Sequence, residues 1–153
     1  MRRFTRAVPV LMVVGLMFFT QLAQADNMIM VRTTQTFPEA MAELQNLIKA
    51  KGYVVSRVQR VDIGLTKSGY KTDRYRVVFY GKPEEIRQLS RRYPELTAYL
   101  PLKISIFAEE RDTILVAANP QHMGRAGDKT LARAIDQWEK DLVDMFSKLR
   151  EGN

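Results

Sequence analysis

The stretch "LPLKISIFAEERDTILVAANP", Leu100 to Pro120, decides how the rest of the chain is read. Two apolar runs, Lys103 to Ala108 and Thr113 to Ala118, flank the polar residues Glu109-Glu110-Arg111-Asp112, with a proline near either end. Apolar runs joined by so short a polar link are what a β-hairpin requires. Pro101 fixes the chain where the first strand starts, and Pro120 cannot extend the ladder beyond the second. The runs between them are therefore expected to bury one face of a sheet.

Working back from the hairpin, Pro83 opens a helix with Glu84 and Glu85 in its first turn and Arg87, Arg91 and Arg92 towards its end. That charge order complements a helix dipole. Ile86, Leu89 and Tyr93 form its apolar stripe, and Pro94 stops it. The preceding run, Tyr75 to Gly81, reads as a strand, and Thr66 to Asp73 before it as a polar loop. Tyr53 to Val61 is a valine-rich strand, although the spacing of Val55, Val58 and Val61 also suits a short helical turn at its end. Thr36, Pro38 and Glu39 are a helix start with a capping box; Phe37, Met41, Leu44 and Ile48 fall on one face, and Gly52 ends the helix. Met28 to Thr34 is the first strand.

Forward of the hairpin, residues 121–127 form a Gly/polar linker, and Asp128 caps a long helix. Leu131, Ile135, Trp138, Leu142, Met145 and Leu149 recur in it with heptad-like spacing. That seam either packs on its own domain or pairs with a second copy or another protein. The expected architecture is α+β, a two-layer sandwich with a β-α-β-β-α-β-β core and an added C-terminal helix. The domain plan is a leader over 1–25, an α+β domain over 26–120, the linker and the helix 128–153.

The leader is read from a basic start at Arg2, Arg3 and Arg6, an apolar run from Ala7 to Phe19, and the small-residue exit Ala23-Gln24-Ala25. An apolar run of 13 residues is short of the roughly 20 that span a bilayer. Cleavage is expected after Ala25, giving a periplasmic or secreted protein with no stable membrane span. The chain has no cysteine, which excludes disulfides, thiolate metal sites and thiol redox chemistry. Between Arg57 and Lys103 there are 11 Lys/Arg and 5 Asp/Glu, while the segment from Ile104 onward has 7 against 9. Export argues against nucleic acid as the partner of that basic middle, leaving a small anionic ligand or an acidic protein.

Few residues carry recognisable chemistry. His122 is the sole histidine and stands in the linker beside Met123, so neither a catalytic triad nor a metal site is expected. Met28, Met30, Met41 and Met145 are read as core residues rather than copper ligands. The run Gly64 to Thr72 only imitates a phosphate loop, because Tyr70 separates its second glycine from the lysine. No catalytic group, metal or cofactor is expected. The strand end at Tyr80 and Gly81, meeting the Lys82-Pro83 helix start, is the candidate anion site, since unpaired amides converge at a helix N-terminus.

Tyr80-Gly81-Lys82-Pro83, then Leu100-Pro101-Leu102-Lys103, then Asn119-Pro120 together resemble the pattern of the domain of unknown function 302 family, over about Phe37 to Pro120. Lys82 stands where members carry asparagine, and Leu102 where some carry cysteine. The resemblance implies a small α+β fold, a homodimer and no established reaction. The binding candidates are Tyr80, Gly81, Lys82, Pro83, Pro101, Lys103 and Asn119. The leading expectation is a non-enzymatic binding or accessory protein for a small anionic ligand or a protein partner; the alternatives are a periplasmic hydrolase or lyase, and an assembly module docking through its C-terminal helix.

Overall fold

Five antiparallel strands form one sheet in the order β1-β5-β4-β3-β2, with β1 at Met28–Thr33, β2 at Val54–Arg60, β3 at Tyr75–Gly81, β4 at Leu102–Glu109 and β5 at Asp112–Ala118. The computed structural model describes residues 27–124 and 128–152; the leader, and residues 125–127 of the linker, lie outside the described residues. The hairpin of the opening stretch is the middle of the sheet. Its turn is two residues long, because Glu109 pairs with Asp112, and Glu110 takes a left-handed φ of 54°.

The helices α1 (Phe37–Ala50), α2 (Val61–Lys67), α3 (Pro83–Arg92) and α4 (Lys129–Glu151) follow the strands. α1 starts as its sequence dictates, with the Glu39 carboxylate accepting from the Thr36 N–H at 2.9 Å, and Gly52 leaves it at a φ of +77°. α2 settles the open boundary after β2: the strand ends at Arg60, and a short helix takes Val61 to Lys67, including two residues expected in the loop.

Leu102, Ile104 and Ile106 of β4 are buried, together with Val78 and Tyr80 of β3 and Leu115 and Ala117 of β5. Onto that face α1 packs Ala40, Leu44 and Ile48, and α4 packs its whole seam from Leu131 to Leu149. The heptad-like spacing of α4 is thus spent inside the molecule, against β1 and α1. Buried apolar area is worth about 25 cal/mol per Å2, so α4 contributes several kcal/mol of the fold's cohesion. Leu89 of α3 joins the same core, and α2 reaches it through Asp62, which pairs with Arg76 over the Phe37 ring. All four helices lie on one face.

Among the described residues no helix covers the other face. Alternation along β4 sends Lys103, Ser105, Phe107 and Glu109 there, opposite the buried Leu102, Ile104 and Ile106. Register adds Tyr75, Val77 and Phe79 of β3 and Ile114 and Val116 of β5. Met28 and Met30, expected in the core, are 54% and 68% exposed, because alternation along β1 turns them onto the uncovered face, Met30 opposite Val116, while Val31 and Thr33 face the helices. Met41 is half-buried and Met145 fully buried.

Candidate functional site

The two motif turns adjoin at one end of the sheet. Tyr80 of β3 pairs directly with Leu102 of β4, so Gly81-Lys82-Pro83 and Leu100-Pro101 leave neighbouring strands side by side, the latter through a cis peptide. Gly81 makes room for α3: a Cβ there would fall 2.3 Å from Ile86 Cδ1, the end of a flexible side chain that would have to turn aside. Pro83 occupies the first turn of α3, where a missing N–H costs nothing. Asn119 ends β5 at the same sheet end and caps the short 3-10 helix 120–122, its side chain accepting from the Gln121 N–H at 3.0 Å.

The lysines of the two turns do not converge. Lys82 lies on the helix-covered side, with Nζ 4.7 Å from the Tyr53 ring centroid. Lys103 pairs with Phe79 and is exposed on the open face.

What gathers instead around Tyr80 is a polar cluster that no short motif announces. The rings of Tyr53 and Tyr80 meet edge to face at 5.4 Å. The Tyr53 hydroxyl donates to Asp141 Oδ2 at 2.8 Å, and Lys51 Nζ lies 3.3 Å from the other oxygen of Asp141 and 2.7 Å from Asp144. Trp138 Nε1 donates to Glu85 at 3.0 Å, tying the start of α3 to α4. Burial works against the charge of Asp141, but hydrogen bonds from Gln137, Tyr53 and Lys51 outweigh it and hold the carboxyl below its ordinary range. Burial, followed by the bond to Asp141, pushes the Tyr53 phenol up; burial does the same to Tyr80. A neutral phenol locked onto a carboxylate is a poor base or nucleophile and a good strut. The cluster fastens the turn to the terminal helix.

On the open face the central strand β4 presents Lys103, Ser105, Phe107 and Glu109 in a row, basic at one end and acidic at the other. Phe107 meets Tyr75 edge to face at 6.0 Å. Glu109 and Asp112 both take Arg32, the latter at 2.9 Å. His122 is exposed on the short 3-10 helix, and among the described residues no three His, Cys, Asp or Glu side chains are grouped to hold a metal. Among the same residues no helix is long and apolar enough to cross a membrane.

No curated protein matches the chain. A crystal structure of an uncharacterized conserved DUF302 protein from Bacillus stearothermophilus is similar in fold, with a TM-score of 0.72 and 20% identity, covering 82% of this chain and all of that one. The family described as "Domain of unknown function DUF302" matches residues 29–149, taking in β1 and α4 as well as the motif-bearing stretch between them. With its motif turns, its α+β sheet and a match over most of its length, the chain belongs to the DUF302 family.

Proposed function

We propose that the protein is an exported, non-enzymatic binding or accessory protein that works as a homodimer joined through the open face of its sheet. The observation that carries this reading is the outer row of β4, the central strand. A twofold axis crossing that strand midway between Ser105 and Phe107 sets Lys103 against Glu109 of the second copy and Ser105 against Phe107. Charge meets opposite charge, with Glu109 shared between Arg32 of its own chain and the incoming lysine, and a small side chain meets a large one. Five strands about 4.8 Å apart and about 20 Å long present a footprint of about 500 Å2, so two copies covering the whole face hide about 1,000 Å2, the threshold of a specific interface. Tyr75, Val77 and Phe79 supply the aromatic and apolar centre that such interfaces favour.

A small anion at the Tyr80–Pro83 turn has less support. Only Lys82 stays at the turn, and two carboxylates, Glu84 paired with Arg87 and Glu85 accepting from Trp138, stand in the first turn of α3, where their charge disfavours an anion. A protein partner suits the geometry better. The hydrolase or lyase alternative draws on Tyr, Lys and carboxylates at the same turn, where burial keeps the Tyr80 phenol protonated and Tyr53 is bonded to Asp141, and the assembly alternative rests on a seam that α4 packs into its own core.

Native mass spectrometry of the chain from Asp26 to Asn153, isolated from a periplasmic extract, tests the reading. A dimer that Phe107→Lys converts to a folded monomer is the expected result; a monomer at micromolar concentration overturns it. Bound small-molecule mass on the wild type that is lost in Lys82→Ala would return the anion to first place.

A further inference from the structure

The two edges of the sheet are not alike. β2 carries a bulge between Val55 and Arg57 and shows exposed Arg57, Gln59 and Arg60, devices that discourage another strand from pairing. β1 has a regular register throughout, with Met28 to Val31 wholly apolar and only Arg32 charged. An unguarded apolar edge, with N–H and C=O groups turned outward, is a template for an added strand.

Alongside that edge runs a groove of about 310 Å3, walled by Ile29 and Val31 on one side and by Val143 and Phe146 of α4 on the other. Val143 is 45% exposed, unlike the neighbouring seam residues Leu142 and Met145. Gly152 lies beside Thr33, so α4 runs parallel to β1 and brings Arg150 to the Arg32 end of the groove. Arg32 is occupied by Glu109 and Asp112, whereas Arg150, among the described residues, has no ion pair.

We infer that the groove between β1 and α4 receives an extended segment of another protein, added to the sheet as a sixth strand, with a carboxylate at its end seated against Arg150. The main chain of β1 supplies affinity, the apolar walls take alternate side chains, and Arg150 fixes direction. A second copy is the poorer occupant, because the strand it would offer, Met28 to Thr33, carries no carboxylate and one arginine. The apolar walls of the groove, Ile29, Val31, Val143 and Phe146, lie on the helix-covered side of β1 rather than on the proposed dimer joint, so a monomeric protein would still carry them.

The probe is a fluorescein-labelled heptapeptide, Thr-Val-Thr-Val-Thr-Val-Glu, and its Gln-amide counterpart, titrated by fluorescence anisotropy against the chain from Asp26 to Asn153. Saturable binding is expected, about tenfold tighter for the acidic peptide, with slowed amide exchange confined to β1 and its neighbours. Arg150→Glu should erase the preference, and Val143→Glu should abolish binding, both with unchanged circular dichroism. Equal binding of the two peptides, binding that survives Val143→Glu, or no binding at all overturns the inference. Loss of dimers in Val143→Glu, with a silent probe, would also overturn it and assign the groove to a second copy.

Discussion

Asp141 is 5% exposed and still charged, because Tyr53 and Lys51 each hand it a donor. Removing the donor from a buried acceptor costs about 1–3 kcal/mol, so Tyr53→Phe should lower unfolding free energy by that much in urea. Asp141→Ala should cost at least as much, and the double variant less than the sum, since the partners share one interaction. The raised phenols give the pH dependence its sign. A phenol that holds its proton more tightly when folded stabilises fully below the ordinary value of 10.0 and loses that contribution as pH rises beyond it. Thermal melts should therefore fall above pH 10, and less steeply in Tyr53→Phe. Gly81→Ala pushes a methyl into the end of the Ile86 side chain and should destabilise by about 1 kcal/mol, with Ile86→Val restoring part of the loss by deleting the struck carbon. Recovery would confirm contact, not backbone conformation, as the reason for glycine. Gly81 was legible as a turn residue, but the Tyr53–Asp141 bond was not, since 88 positions separate its partners. One sign lay in the sequence: Asp141 follows Trp138 by three and precedes Met145 by four, a charge on the buried stripe.

Periodicity made most elements readable, because α1, α3, α4 and the β4–β5 hairpin each bury one face and so repeat at their own period. α2 was ambiguous for the same reason reversed: it has no buried residue, and nothing in its spacing outweighs the valines of β2 before it. The heptad-like seam of α4 left two readings, since a helix packed on its own sheet and a helix packed on a partner need the same stripe. The structure places that stripe in the core with Trp138 and Leu149 at 2% and 0% exposure. Deleting residues 128–153 should consequently give a chain that fails to fold, read as loss of cooperative melting and of near-ultraviolet dichroism. A truncated chain that melts cooperatively near the wild-type temperature would make α4 an accessory. Within the helix, Trp138→Phe keeps most of the packing and removes the bond to Glu85, so it should cost about 1 kcal/mol and loosen the start of α3.

Among the described residues, four helices lie on one face of the sheet and none on the other. Alternation in Lys103 to Glu109 already told which β4 residues share a face. Only the register, with Val77 beside Ser105 and Tyr75 beside Phe107, shows that β3 continues the same surface in apolar and aromatic residues. The expectation that Lys82 and Lys103 would work together rested on adjacency along two strand ends, and adjacency says nothing about side: successive residues of a strand point to opposite faces. Lys103 therefore shares the open face with Glu109, six residues along its own strand, rather than a side with Lys82. The most direct test is sedimentation velocity on the chain from Asp26 to Asn153 in low salt, comparing wild type, Lys103→Glu, Glu109→Lys and the double reversal. The wild type should be a dimer, association should weaken at least about tenfold in Lys103→Glu, where like charges oppose across the axis, and dimers should return in the double variant. Association that is absent in the wild type, or indifferent to all three substitutions, would contradict the proposed dimer joint.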